Sequence, residues 1–316
     1  MNIDVKLVSE VRNLSGAGMM ECKKALTEAN GDIDVACDLL RKWGQGRAVE
    51  RSSVDMLAGR ILGQRDVLSG SIMVELGCQT DFVANSDKFI DLLYKILKIS
   101  EDKSINNLED LNKFYIKEDG KTVEELVAEN AGSIFKENIK IKQFAKYKSN
   151  GENATGLYVH HNGRFGGMVK VKFKKIEEVK EGSLVEREDK VVIQTLENIG
   201  NMFLGINDIA MHIASGLPSP ARAIDQTSIP KEFLDKEIEM AKIGLEGKPA
   251  NIVEKIVAGK LNKIYQEYVL TEQVYVKDNT KKVKDLLYGN EIVEFVRFYV
   301  RGDDPTLRKQ AAQGKK

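Results

Sequence analysis

Asp81 and Phe82 are the two residues of this sequence whose types and placement point most directly to chemistry. That chemistry is recognition, because a Phe on a polar connection can enter a partner's pocket while the neighbouring carboxylate meets polar groups there. A Phe left in water forgoes about 1.5 to 3 kcal/mol of burial, so its exposure would require a function. The competing interpretation is that Phe82 folds back under the following helix. The residues alone leave both interpretations open.

Motifs for covalent catalysis or metal binding are missing from the sequence. There is no Walker A loop, no HExxH and no nucleophile elbow. His160 and His161 could suggest a metal site, but neighbours in a predicted strand should point to opposite faces, and no third ligand has suitable spacing. We therefore expect no metal, no cofactor and no reaction of the chain's own.

Composition favours a protein partner in a reducing compartment. The chain has 316 residues, more than one hydrophobic core usually supports. Basic and acidic residues both number 48, so the net charge of zero gives no attraction to nucleic acid or to an anionic membrane. Three cysteines without a CxxC pair argue against a disulfide framework. With no apolar signal segment and no membrane-spanning run, we expect a cytoplasmic protein that contacts neither nucleic acid nor membrane.

The elements on either side of Asp81 and Phe82 should position them. Apolar alternation over 70–76 predicts a half-buried strand, paired with 57–62 across a polar turn at 64–66. Ser86 is expected to cap a helix whose apolar residues recur at helical spacing to about Ile99. The motif therefore falls at a connection from strand to helix.

Further along, the residues predict local structure at several points. The polar segment 100–112 reads as an exposed insertion, whereas Thr122 and Glu125 have the spacing of a capping box at a helix start. Asn162-Gly163 is a strong hairpin signal between two strand-like runs. A long helix is predicted over 189–215.

The N-terminal part of the chain is predicted to be helical, and the part from 230 onward is predicted to contain both helices and strands. Residues 1 to about 50 read as three short helices, the third ending near Trp43-Gly44 before a linker at 45–53. Helices over 230–241 and 249–268 should form an antiparallel hairpin. The runs 270–276 and 292–300 are strand-like, with a helix over 280–288 between them.

Seven segments resemble one known family over nearly the whole chain. The most specific are Gly77-Cys78-Gln79-Thr80-Asp81-Phe82-Val83-Ala84 and the contiguous run 15–26. The other segments are 29–33, 135–141, 157–165, 208–215 and 247–261. Together they resemble the elongation factor Ts family, which exchanges guanine nucleotide on elongation factor Tu. Lys136 stands where the family usually has Gly.

The resemblance implies two groups of functional residues. The positions matched by Thr80, Asp81, Phe82 and Val83 are those that disturb the Mg²⁺ site of elongation factor Tu. Partner docking is implied for a second set. Its members are Arg12, Met19, Met20, Lys23, Phe135 and His160.

The resemblance also implies an architecture. It is an α+β fold with a UBA-like three-helix module, two core subdomains with antiparallel sheets and an inserted antiparallel helical hairpin. The expected boundaries are 1–50 for the module, 54–148 and 149–222 for the two subdomains, 223–268 for the hairpin, 269–300 for the return to the core and 301–316 for a basic tail. We expect the family's C-terminal module to be short or missing.

The function implied is exchange of GDP for GTP on elongation factor Tu during translation elongation, without a covalent reaction. The implied partner is elongation factor Tu, both GDP-bound and nucleotide-free, and the resemblance allows a dimeric assembly with it. The alternative from another class is a UBA-like adaptor or scaffold with no effect on nucleotide state. An RNA-binding role is disfavoured by the balanced charge.

Overall fold

The computed structural model describes residues 4–15, 17–50, 56–66, 69–174, 204–243, 245 and 249–300, with backbone only for 44–50. The fold is α+β, with three N-terminal helices followed by small antiparallel sheets and helices, as predicted. The chain forms two compact units. The first contains the described residues up to Leu62, Ile72–Ala145 and the described residues from Tyr299. The second contains Gly63–Ser71 and the described part of Lys146–Phe298. The predicted domain boundaries stay predictions.

Three helices open the first unit: α1 (Val5–Ser15), α2 (Met19–Glu28) and α3 (Ile33–Glu50). Their ends follow from local chemistry. The Lys6 backbone N–H donates to Asp4 at 3.0 Å, and the Val35 N–H donates to Asp32 at the same distance. After α2 the chain turns through the left-handed region at Asn30 (φ 52°) and Gly31 (φ 90°).

Helix α3 is longer than predicted. It continues through Gly44 and Gly46 to Glu50, where the sequence indicated a linker. A glycine inside a helix costs only about 1 kcal/mol relative to alanine, and the residues that follow favour helix. The backbone therefore stays helical beyond Trp43.

The first sheet has the order β1-β2-β5, with β1 at Ala58–Asp66, β2 at Gly70–Cys78 and β5 at Lys140–Lys148. Every residue of the central strand β2 is buried, so the prediction of a half-buried strand is wrong. Both of its faces are covered, a property that alternation along one strand does not report. Strand β1 continues to Asp66, so the predicted turn at 64–66 is wrong.

The remaining elements of the first unit surround the motif. Helices α4 (Asp81–Ala84), α5 (Asp87–Ile99), α6 (Leu108–Lys113) and α7 (Val123–Asn130) are followed by a π-helix at Ala131–Phe135, and β3 (Tyr115–Ile116) pairs with β4 (Lys121–Thr122). The predicted exposed insertion at 100–112 is wrong. It contains the start of α6 and contributes Ile105 and Leu111, both fully buried, to the core.

Of the helix caps predicted at Ser86 and Thr122 in this unit, the structure contains one. The capping box of Thr122 and Glu125 is confirmed, since both of its reciprocal hydrogen bonds are present. Ser86 lies at the N-cap position of α5, but its hydroxyl donates to the carbonyl of Val83 instead of capping the helix. The hydroxyl is thereby used to close the turn before α5.

The second unit contains the sheet β6-β7-β8, with β6 at Asn153–Val159, β7 at Phe165–Lys172 and β8 at Glu291–Tyr299. The hairpin predicted at Asn162-Gly163 joins β6 to β7, which pair antiparallel. Helical residues 204–215 form α8; the rest of the helix predicted from 189 lies outside the described residues, as does the tail beyond 300. Helices α9 (Lys231–Lys242) and α10 (Ala250–Tyr268) follow.

The region after α10 differs from its prediction. Residues 270–276 form no strand; a 3₁₀ turn covers Leu270–Glu272, and the predicted helix at 280–288 is a 3₁₀ helix at Val283–Leu287. The backbone N–H groups of Leu270 and Thr271 donate to carbonyls of the 223–224 segment, so they are not available to a sheet. No described helix is long and apolar enough to cross a membrane.

Burial raises the pKa of the Glu75 carboxyl group. Its side chain lies in β2 and is 5% exposed, and loss of solvation raises its pKa to about 7 against the opposing effect of Lys142. Because the folded-state pKa is raised, the fold favours the neutral carboxyl. The stability from this preference is fully present below the ordinary Glu pKa and is lost as the pH rises through about 7.

Glu75→Gln is therefore expected to stabilise the protein at alkaline pH. One pKa unit corresponds to about 1.4 kcal/mol, so the gain in unfolding free energy should be larger at pH 8 than at pH 5 by about 2 kcal/mol. Denaturant unfolding at both pH values measures this, with Glu118→Gln on the exposed surface as the control. Equal effects of Glu75→Gln at the two pH values would show that the carboxylate is accommodated without cost.

Candidate functional site

Phe82 is exposed on a single helical turn. Its side chain is 88% accessible, whereas the next residue, Val83, is only 6% accessible. The interpretation that Phe82 folds back under α5 is therefore wrong. The structure presents a large aromatic side chain to solvent next to the carboxylate of Asp81.

The turn that carries Phe82 is held at both ends. At its start, the Thr80 hydroxyl accepts a hydrogen bond from the Val83 N–H at 3.3 Å. At its end, the Asn85 side-chain amide donates to the carbonyl of Asp81 at 2.8 Å, and the Ser86 hydroxyl donates to Val83 at 2.8 Å. These bonds fix the backbone of a helix that is too short to be stable on its own.

Glu137 fastens the turn from outside. One carboxylate oxygen accepts the backbone N–H groups of Gln79 (3.2 Å) and Thr80 (3.1 Å), and the other accepts the Thr80 hydroxyl at 2.6 Å. Hydrogen bonds to a charged acceptor are stronger than neutral ones. The sequence analysis did not single out Glu137 as a site residue. The available signal was its place in segment 135–141, which belongs to the family resemblance.

The residues just before Glu137 are part of the same support. The Phe135 ring packs edge-on against Phe89 of α5, with ring centroids 5.9 Å apart, so Phe135 is half-buried and faces α5. Lys136 then takes a left-handed conformation with φ 57°. A glycine adopts this conformation without steric cost, whereas other residues seldom do.

The docking residues predicted on the N-terminal helices are on the surface. Met19 is 52% and Met20 is 77% exposed, and Arg12 and Lys23 are also exposed. The opposite face of α2 carries its buried residues, Cys22, Ala25 and Leu26. Leu14 of α1 is 66% exposed and was not predicted as a docking residue. The methionines are thus surface residues of this module and not part of its core.

His160 lies in the second unit and is half-buried. Because β6 ends at Val159, the two histidines do not alternate across a strand as predicted, and their rings lie 4.1 Å apart. His160 also meets the rings of Tyr158 and Phe165 edge-on. Within the described ranges, no group of three or more His, Cys, Asp or Glu side chains is arranged to hold a metal ion.

His212, by contrast, is a packing residue. It is 1% exposed, its Nε2 pairs with the Gln273 side chain at 2.9 Å, and its Nδ1 accepts the Val276 N–H at 3.3 Å. Burial lowers its pKa, and the accepting Nδ1 requires the neutral ring. This histidine is therefore not a candidate for binding chemistry.

Comparison with known proteins gives one consistent result. The family model described as "Elongation factor TS" matches residues 79–302. Elongation factor Ts of Nitratiruptor sp. is 36% identical over 290 residues, covering 91% of this chain and 87% of the relative. Elongation factor Ts of Aquifex aeolicus is 34% identical over 316 residues, covering 96% and 99%. That of Chlorobium phaeobacteroides is 34% identical and covers 94% and 93%.

Proposed function

This chain belongs to the elongation factor Ts family, and from that premise we propose that the turn Thr80–Val83 is the part that acts on the nucleotide site of elongation factor Tu. As a member of the family, the protein binds elongation factor Tu and promotes nucleotide exchange on it in translation elongation, as a cytoplasmic exchange factor and not as an enzyme. Family membership also decides against an adaptor without effect on nucleotide state.

The exposure of Phe82 is the observation that supports the proposal. An exchange factor must bind its nucleotide-free partner more tightly than the GDP-bound one, and GDP must weaken its binding by the same factor. A GTPase holds GDP through Mg²⁺ and the loop around the phosphates. A rigid apolar side chain inserted beside those groups converts contact energy into weaker GDP binding. Every 1.4 kcal/mol of coupling changes the GDP affinity about tenfold.

The four residues of the turn have different roles in this proposal. Phe82 enters the partner, and Asp81 repels or displaces the ligands of the Mg²⁺ ion. Thr80 is occupied within the protein by Val83 and Glu137, so its role is to hold the turn. Val83 is buried and anchors the turn to the core.

Docking is assigned to the N-terminal helices. We propose that Met19 and Met20 insert into an apolar groove of elongation factor Tu, with the cations Arg12 and Lys23 at the edge. Two exposed methionines on one helical turn supply flexible apolar contact area. His160 is proposed as a separate contact in the second unit.

Phe135 has a supporting role in this scheme. Its ring is committed to Phe89, so it would act on the partner by holding the π-helix and the Glu137 carboxylate in place. This assigns the residue to the support of the turn, while direct contact with elongation factor Tu is left to the exposed side chains.

The finer architecture is also inferred. We infer that α1 to α3 form the UBA-like module and that α9 and α10 form the inserted hairpin at 223–268. The start of α9 lies against the end of α10, with the rings of Phe233 and Tyr268 5.4 Å apart and Arg222 over both rings. Ala223, Ile229, Ile264 and Val269 form a small apolar cluster of their own. That separate cluster is the reason to treat the hairpin as an inserted unit.

Removing the support of the turn should slow exchange. Glu137→Ala takes away three hydrogen bonds to Gln79 and Thr80, and we expect about a tenfold lower rate of catalysed GDP release because the turn then samples many conformations. The rate is measured as release of fluorescent GDP from purified elongation factor Tu. Glu118→Ala, an exposed Glu of the same unit, is the control. A rate equal to that of the control would mean that the turn needs no support from Glu137.

A further inference from the structure

Lys136 connects the proposed docking helix to the support of the exchange turn. Its ammonium Nζ lies 3.0 Å from a carboxylate oxygen of Glu21, the residue that follows Met20 on α2. The next residue in the chain, Glu137, carries the three hydrogen bonds to Gln79 and Thr80. We propose that Lys136 is a positioning residue that sets the exchange turn relative to the docking face, an inference that rests on the proposed function.

The backbone of Lys136 supports this assignment. A lysine in the left-handed region is a strained choice, and strained residues persist where the surrounding structure holds them. The ion pair with Glu21 is a contact that a glycine at this position could not make. The strained backbone of Lys136 therefore coincides with an ion pair to Glu21 that requires a long cationic side chain.

The surrounding contacts show that the link joins parts that already pack together. Helix α3 packs against α7 and the π-helix, and Arg41 of α3 donates to Glu129 of α7 at 3.1 Å. Those contacts fix α3, but α2 bears the methionines. Helix α2 itself packs against α3, and the pair between Glu21 and Lys136 adds a direct link from α2 to the residue before Glu137, next to the proposed docking face.

The expected effect is moderate because the pair is partly solvated. The Lys136 side chain is 45% exposed and that of Glu21 is 21% exposed, so water and salt weaken their attraction. Docking through the methionines should continue without the pair. What should change is the maximal rate at saturation, since a loosely held turn reaches the nucleotide site less often.

The competing interpretation of Lys136 is a direct contact with the partner. Lys136 lines a polar pocket of about 450 Å³ together with Arg12 and Lys88, and a cation there could contact an acidic group of the partner directly. Such a role would not involve Glu21, and other cations of the pocket would share it. A comparison of charge removal on the two sides of the ion pair distinguishes the two roles.

The test measures GDP release from elongation factor Tu over a range of concentrations of this protein. Lys136→Met and Glu21→Gln should each lower the maximal rate of GDP release about threefold, with little change in the protein concentration that gives half of the maximal rate. The double variant should be no slower than either single variant. Lys136→Arg keeps the charge and should retain the rate. Lys88→Met is the matched control for loss of a nearby cation.

A second readout uses the free protein and needs no partner. Amide hydrogen exchange at Gln79 and Thr80 should become severalfold faster in Lys136→Met and Glu21→Gln, because their Glu137 acceptor is held less firmly. The positioning role would be overturned if the two substitutions slowed GDP release additively, or if Lys136→Met slowed it while Glu21→Gln did not. Unchanged amide exchange at Gln79 and Thr80 would also overturn it. If Phe82→Ala does not slow GDP release, the proposed function fails, whatever these amides do.

Discussion

Replacement of Phe82 by Ala is expected to lower catalysed GDP release about thirtyfold or more while leaving the thermal unfolding of the free protein nearly unchanged. An interface anchor commonly contributes about 2 kcal/mol or more, which corresponds to that factor in rate. The side chain is 88% exposed, so its removal should change the free energy of unfolding by less than about 1 kcal/mol. Release of fluorescent GDP and thermal unfolding measure the two quantities on the same sample.

Phe89→Ala is the matched control for this substitution. Phe89 is fully buried in the core of the same unit, and its truncation should cost about 3 to 5 kcal/mol of stability. The account is contradicted if Phe82→Ala behaves like Phe89→Ala in unfolding while the folded fraction exchanges at the normal rate. Phe82 would then be a packing residue.

The second large effect is expected at the docking face. Replacement of Met19 and Met20 together by Asp should weaken binding to elongation factor Tu about a hundredfold or more, since a charge placed in an apolar contact costs a few kcal/mol. Both side chains are exposed in the free protein, so the helices should still form. Calorimetric titration measures the affinity, and circular dichroism reports the helices.

Val35→Asp serves as the control for the methionine variant. Val35 is 48% exposed on α3 of the same module and is not among the proposed docking residues, so this change should leave the affinity nearly unaltered. Unchanged affinity in the methionine variant would mean that the docking face lies elsewhere. Equal losses in both variants would point to a general effect of negative charge on the module.

Features set by neighbours in sequence were predictable. The cap of α3 depends on Asp32 and Val35, three positions apart, and the capping box of α7 depends on Thr122 and Glu125. The left-handed exit from α2 needs only Asn30 and Gly31. In each case the hydrogen bond closes within one helical turn, so residue type and spacing are sufficient.

Features set by distant partners were not predictable. Glu137 and Thr80 are 57 positions apart, and the fully buried β2 depends on what covers its second face. The 270–276 run has a strand-like pattern, but its backbone donors bond to residues 223 and 224. Tertiary contacts decided these outcomes against local propensity.

The candidate site shows the same division. The residues alone left open whether Phe82 is exposed, and the family resemblance marked the positions around it. The hydrogen bonds that hold the turn come from Glu137, and the ion pair of Lys136 joins it to Glu21 on α2. Residue types could mark Phe82 as a candidate, but only the fold shows which residues hold its turn.

The most direct test of the account is the dependence of GDP release on Mg²⁺. The rate of fluorescent GDP release from elongation factor Tu is measured with and without saturating protein, first with Mg²⁺ present and then after its chelation. If the turn at Phe82 acts by disturbing the Mg²⁺ site, the acceleration by this protein should be large with Mg²⁺ and much smaller without it. An acceleration of the same size in both conditions would contradict the account.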